Sequence, residues 1–193
     1  REIHGLFNFL FPPACALCLA PLDPPDPDAF CLSCSSDIPP LKTPHCPLCA
    51  LPYPAEAGIG HNCQNCMQHR KTTFTGVTPI GPYEGLLREA IHRFKYRNDI
   101  NLDRPLGNLL AAKVRALDQP FGLVVPVPLH AKKLRQRGYN QAALVAGQLA
   151  KRLDIPLSRA LLTRTRQGAV QKETSARDRK KNVSRIFACN RQL

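Results

Sequence analysis

The chain has 193 residues, 44% of them hydrophobic, enough for one ordinary domain plus a small accessory module and too many for wholesale disorder. Lys and Arg number 27 against 14 Asp and Glu, so the formal net charge is +13. Such a balance points to an anionic partner (nucleic acid, a phosphate ester or an acidic lipid), the plain alternative being a solvated basic surface; no run of about 18 apolar residues occurs, so no transmembrane segment is expected.

The apolar patch Leu6, Phe7, Phe9, Leu10 and Phe11 lacks a small-residue cleavage site and runs into Pro12-Pro13-Ala14-Cys15, so we read no signal peptide there. Residues 12–66 then hold eight of the nine cysteines and twelve of the 19 prolines, with little periodic pattern. A segment of this kind has no apolar core of its own and needs a metal staple. Its cysteines form four C-x-x-C pairs, Cys15/Cys18, Cys31/Cys34, Cys46/Cys49 and Cys63/Cys66, separated by 12, 11 and 13 residues, as in a tandem repeat of one knuckle. Two residues between cysteines let both thiolates grip one metal ion, and four thiolates close a tetrahedral zinc site with no open position. The expectation is two structural zinc ions, with an iron–sulfur centre as the rival.

The simplest pairing gives Cys15, Cys18, Cys31 and Cys34 to one ion and Cys46, Cys49, Cys63 and Cys66 to the other. A crossed arrangement stays open on spacing alone. His45, His61 and His69 lie nearby as substitutes the cysteines do not require. Eight thiolates and two Zn²⁺ lower the formal charge only to about +9. Four C-x-x-C pairs without an export signal indicate a reducing, cytoplasmic location. With Phe30 and Tyr53 as its few aromatics, this segment, read as residues 12–70, shows no obvious base-stacking platform.

Past Arg70 the pattern becomes periodic, and residues 74–193 read as a second domain. Residues 74–81 read as a strand and turn. Over 83–96, Leu86, Leu87, Ala90, Ile91 and Phe94 recur at helical spacing, opposite Arg88, Glu89, His92 and Lys95. Pro105 opens a second helix with Leu106, Leu109, Leu110, Val114 and Leu117 on one stripe. Phe121–Pro128 suits a buried parallel strand. Lys132–Gly138 reads as a basic loop, and Asn140 as the cap of a helix turning Ala143, Leu144, Gly147 and Leu149 inward. Residues 159–163 and 183–189 read as strands, around a long polar, basic loop with a short helix at 165–181. Cys189 reads as a small buried hydrophobe. Alternating strands and helices argue for an α/β sheet.

Two basic segments offer an anion site. One runs from Val125 to Gln141: a strand end, a cationic loop and a helix N-terminus, with Arg135 and Arg137 supplying forked donors for phosphate. The other runs from Thr163 to Asn182, where Arg164, Arg166, Gln171 and Arg177 sit in a long loop suited to closing over a polyphosphate. No paired carboxylates, Ser–His–Asp set or glycine-rich phosphate loop is present.

The four C-x-x-C pairs, Ile91-His-Arg-Phe-Lys-Tyr96, Val125-Pro-Val-Pro128 with Arg135-Gln-Arg-Gly-Tyr-Asn-Gln141, and Arg164-Thr-Arg166 with Gln171, Ser175-Ala-Arg177 and Asn182 together resemble the ComF/GntX family. The resemblance covers nearly all residues from Cys15 to Phe187. It implies a double zinc ribbon followed by a type I phosphoribosyltransferase-like fold, a parallel sheet with flanking helices. It also implies that the loop of Pro128, Leu129 and His130 with Arg135 and Arg137 meets the pyrophosphate of phosphoribosyl pyrophosphate. In the same way Arg164, Arg166, Gln171 and Arg177 belong to the flexible loop over it, with Mg²⁺ bound alongside.

Members are linked to natural competence and incoming single-stranded DNA, which implies a DNA helicase or membrane channel component as partner. An active transferase on an unknown acceptor, or a zinc-stapled protein-interaction module, are the alternatives. The family's acidic pair and Thr-Thr-Gly ribose-phosphate loop do not occur in these 193 residues. The expectation is a fragment, inactive as a transferase as written, with an exposed sheet edge.

Overall fold

The computed structural model describes residues 12–22, 26, 29–41, 44–54, 58, 60–68, 73–166 and 186–190. Two knuckles come first, and they repeat one pattern, with one more residue between the cysteine pairs of the second. An antiparallel bridge joins Ala14 to Pro21 in the first and His45 to Pro52 in the second. In each, the residue after the C-x-x-C pair takes the left-handed conformation, Leu19 at φ 62° and Ala50 at φ 59°. Its N–H returns to the first cysteine's carbonyl, Leu19 to Cys15 at 2.9 Å and Ala50 to Cys46 at 2.8 Å. Each knuckle then enters a five-residue helix, α1 (Leu32–Ser36) or α2 (Gln64–Gln68), that carries the fourth cysteine, Cys34 or Cys66, on its buried side.

The rest is mainly helical. α3 (Gly85–Tyr96) buries Leu87, Ala90 and Phe94 and exposes Arg88, Glu89, His92 and Lys95, as its periodicity predicts. A 3₁₀ turn (Ile100–Leu102) leads into α4 (Asp103–Arg115), in which Pro105 sits within the first turn, where a missing N–H costs nothing. Leu117, expected on the α4 stripe, falls beyond the helix and is 38% exposed. α6 (Gln141–Leu153) packs on α4 and is capped by Asn140, whose Oδ1 accepts the Ala142 N–H at 3.0 Å, as expected. Its most buried residues are Gln141, Ala146 and Ala150; of those expected inward, Leu144 packs on the core and Ala143, Gly147 and Leu149 are half-buried. Gly107 sets the closeness of that packing, since a Cβ there would lie 2.4 Å from Gln148 Cβ. Gln148 Nε2 also donates to Asp103 Oδ2 at 2.9 Å.

Three strand and loop expectations need correction. Residues 74–81 form no strand: Pro79 lacks an N–H, Phe74 and Val77 are exposed, and the segment lies against the knuckles, where Gly81 passes so near Pro39 that a Cβ would sit 2.7 Å from its carbonyl oxygen. Phe121–Pro128 is not a buried strand either. It makes one parallel bridge, Val124 to Leu157, and Phe121, Leu123 and Val127 stay exposed, because Pro126 and Pro128 cannot donate to a ladder. Lys132–Gly138 is not a loop but the helix α5 (Ala131–Arg137), built from strong helix formers and stopped by Gly138 at φ 80°.

The strands expected at 159–163 and 183–189 appear as β1 (Leu162–Arg164) and β2 (Phe187–Cys189), with 183–185 outside the described residues, an antiparallel pair in the register Leu162 to Cys189 and Arg164 to Phe187. Among the described residues this two-stranded antiparallel sheet and the Val124–Leu157 bridge stand where a full parallel sheet was expected. Cys189, at the end of β2, is exposed, not buried. The loop and helix expected at 165–181 lie, past Arg166, outside the described residues.

The core joins both halves of the chain. Cys15, Leu22, Phe30 and Cys34 of the first knuckle cluster with Leu87, Ala90, Phe94, Leu102 and Leu106. Arg93 braces the joint. It pairs with Asp99 and donates to the Leu17 carbonyl at 2.9 Å and the Ala16 carbonyl at 2.8 Å, both inside the first C-x-x-C loop.

Candidate metal centres and basic face

The simple cysteine pairing holds. Cys15, Cys18, Cys31 and Cys34 bring their sulfurs within 4.8 Å of one another, and so do Cys46, Cys49, Cys63 and Cys66. No crossed set forms. The geometry fits a metal: eight thiols converge four by four without a disulfide, and a small soft cation is the group that holds four sulfurs together. His45 and His61 are not in either group, and His69 lies outside the described residues.

The backbone prepares one thiolate in each site. The Cys31 N–H donates to Cys15 Sγ at 3.4 Å, and the Cys63 N–H to Cys46 Sγ at 3.3 Å. Burial pushes the Cys15 thiol up, but the N–H groups of Cys31, Cys18 and Leu17 outweigh it and hold the group at about 6. Cys46 is likewise held at about 6, burial again opposed by N–H groups, those of Cys63, Cys49 and Leu48. On the helices the balance reverses. Burial and the neighbouring cysteines push Cys34 up, and push Cys66 up to about 12. A bound zinc ion would displace those protons and offset part of the clustered thiolate charge.

The predicted anion residues fall into two groups. His130 caps α5, its Nδ1 accepting the Lys132 N–H at 3.3 Å, with Pro128 and Leu129 leading in. Arg135 is exposed, and Arg137 donates to Gln141 Oε1 at 2.8 Å. Gln141 is 8% exposed, and its Nε2 finds no acceptor among the described residues. Arg164 and Arg166 sit apart on β1 and its exit, Arg164 Nε reaching the Arg166 carbonyl at 3.3 Å and its guanidinium lying 5.7 Å from the Phe187 ring centre. Among the described residues no hydrogen bond or ion pair joins the two groups. Gln171 and Arg177 lie outside the described residues.

Two features escaped the sequence reading. Arg93 was given no role in the sequence reading, yet it is the brace to the first knuckle. Tyr96, 59% exposed, stands beside the α5 cations, with Arg137 above its ring at 5.5 Å from the centre. The signal for Tyr96 was present: His92 and Tyr96 are one turn apart on a face otherwise polar and basic.

Residues 6–67 match the double zinc ribbon domain family. The chain is 32% identical over 168 residues to competence protein F of Haemophilus influenzae, covering 83% of this chain and 70% of that protein. It is 31% identical over 148 residues to DNA utilization protein YhgH of Escherichia coli strain K12, covering 74% of this chain and 63% of the relative. Competence protein ComFC of Bacillus subtilis is 27% identical over 139 residues, 68% of this chain and 56% of its own length. The chain thus spans less than two thirds of the last two relatives. No solved structure matches significantly. Among the described residues no helix is long and apolar enough to cross a membrane.

Proposed function

Because this chain belongs to the ComF family, that of competence protein F and ComFC, we propose that it handles single-stranded DNA during DNA uptake. In this reading the double zinc ribbon is scaffold, and the helical half grips the strand in the cytoplasm as a helicase or channel component delivers it. The carrying observation is α5. It presents Lys132, Lys133 and Arg135 to solvent, and among the described residues no carboxylate pairs with any of them. Unneutralised cations on one short helix are what a phosphate backbone binds, with release of its counterions.

Binding of phosphoribosyl pyrophosphate at the same end of the molecule is the finer part of the proposal. Pro128, Leu129 and His130 lead into Arg135 and Arg137, and the orphaned Nε2 of Gln141 is a buried donor in want of an acceptor. Arg164 and Arg166, with Gln171 and Arg177, would supply the covering loop. The implied Mg²⁺ does not fit the donors described: the groups of three or more metal-binding side chains there are the two tetracysteine sets, Asp99 pairs with Arg93, and Asp103 accepts from Gln148. We therefore propose binding of this anion and derive no transfer step.

The test is fluorescence anisotropy of a labelled oligo-dT with the full chain across a salt series. The wild type should weaken steeply with salt. The Lys132→Glu, Lys133→Glu, Arg135→Glu triple variant should bind about tenfold more weakly or worse, with a shallower salt slope. A salt-independent wild type would overturn the reading. Calorimetric titration with phosphoribosyl pyrophosphate tests the second part, in which Arg135→Ala should lower affinity.

A further inference from the structure

The exposed end of α3 gathers an aromatic ring, cations and amides in one recess. Tyr96 is 59% exposed at the last position of the helix, so burial in the core does not explain it. The His92 ring lies 4.9 Å away, tilted by 43°, and the Arg137 guanidinium lies 5.5 Å from the Tyr96 ring centre. Lys95, Asn98, Lys133 and Gln136 complete the lining of a cavity of about 380 Å³ between α3 and α5. Lys95, Asn98, Lys133 and Gln136 are all exposed, and among the described residues neither lysine has a carboxylate partner.

Each component suits a different part of an unpaired nucleotide. The ring offers a π face, which every base can cover whatever its identity. Lys95 and Lys133 suit the flanking phosphates, and Arg137 can add cation–π contact or a forked phosphate bond. Asn98 and Gln136 offer amide donors and acceptors to a base edge. We propose that this recess is a base-stacking site for single-stranded DNA, with one unpaired base on Tyr96 and its phosphates on Lys95 and Lys133. This inference rests on the reading that the chain binds single-stranded DNA, and it adds where and how. The recess shares Arg137 with the predicted phosphate site and adds Tyr96 and Lys95 of α3, which that site does not include.

The ring carries no charge, so stacking and electrostatics separate experimentally. Anisotropy with fluorescein-labelled oligo-dT across a salt series should show Tyr96→Ala binding about tenfold more weakly with the salt slope unchanged, and Tyr96→Phe binding like the wild type. Lys95→Ala with Lys133→Ala should instead make the slope shallower. An oligonucleotide carrying 5-iodouracil should photo-crosslink at Tyr96. A duplex of the same sequence should be insensitive to Tyr96→Ala, because its bases are already stacked. If the wild type binds oligo-dT but a folded Tyr96→Ala binds equally well and crosslinks lie elsewhere, the stacking site is overturned while DNA binding stands. If the duplex is as sensitive as the single strand, stacking is overturned too. If the wild type binds no oligonucleotide, the DNA reading itself fails, and this inference with it.

Discussion

Cys15 and Cys46 hold equivalent places in the two knuckles, and the same backbone N–H pattern lowers both thiols from 9.0 to about 6. The consequence has a definite sign. A thiol whose folded value lies below its unfolded value favours the fold while ionised. Its contribution is complete above about 9 and is lost as pH falls through about 6. Zinc competes with protons for the same sulfurs, so metal retention must follow the same direction. Chelator competition should show zinc affinity falling as pH is lowered from about 8 through about 6. An affinity independent of pH over that window would mean that thiolates are not the ligands.

At the scale of elements, the tightest joint is α4 against α6. Gly107 has no room for a side chain, since its Cβ would meet Gln148 Cβ at 2.4 Å, on a helix and not on a flexible chain end. Gly107→Ala would ordinarily favour a helix, yet here it should destabilise by about 1–3 kcal/mol by forcing the helices apart. Chemical denaturation checks this, and a stabilised variant would contradict the packing. This joint also shows what the sequence does and does not disclose. Helical period, the Asn140 cap and the cysteine spacing are local signals, and α3, α4, α6 and both metal groups follow from them. Of the four expected strands, those at 74–81 and 121–128 did not follow, because a strand requires a partner: Phe121–Pro128 has strand composition but pairs only through Val124. α5 was read from its charge, although Ala131, Leu134 and Gln136 between the cations already spell a helix with Gly138 as its stop. Arg93 was hidden for a further reason: its role depends on Ala16 and Leu17, which lie far from it in sequence.

Across the whole molecule, the composition break near residue 70 is not a break in the core. The first knuckle contributes Cys15, Leu22, Phe30 and Cys34 to the cluster that α3 closes with Leu87, Ala90 and Phe94, and Arg93 ties α3 to its metal loop. The second knuckle repeats the fold, but its buried Cys46, Ala50 and Cys66 are not members of that cluster. Equivalent metal sites should therefore have unequal consequences. A structural zinc site contributes about 10–16 kcal/mol of apparent binding energy, as large as the net stability of a typical domain, so its loss cannot be absorbed locally where the core is shared. Cys15→Ser and Cys46→Ser should each lower the metal content from two ions to one by elemental analysis. Hydrogen exchange should then separate them, with Cys15→Ser stripping protection from α3 and Cys46→Ser leaving it intact. Equal protection of α3 in the two variants would show that the first knuckle does not hold the helical half in place. The α3 helix ends in Tyr96, so Cys15→Ser should also weaken oligo-dT binding where Cys46→Ser does not.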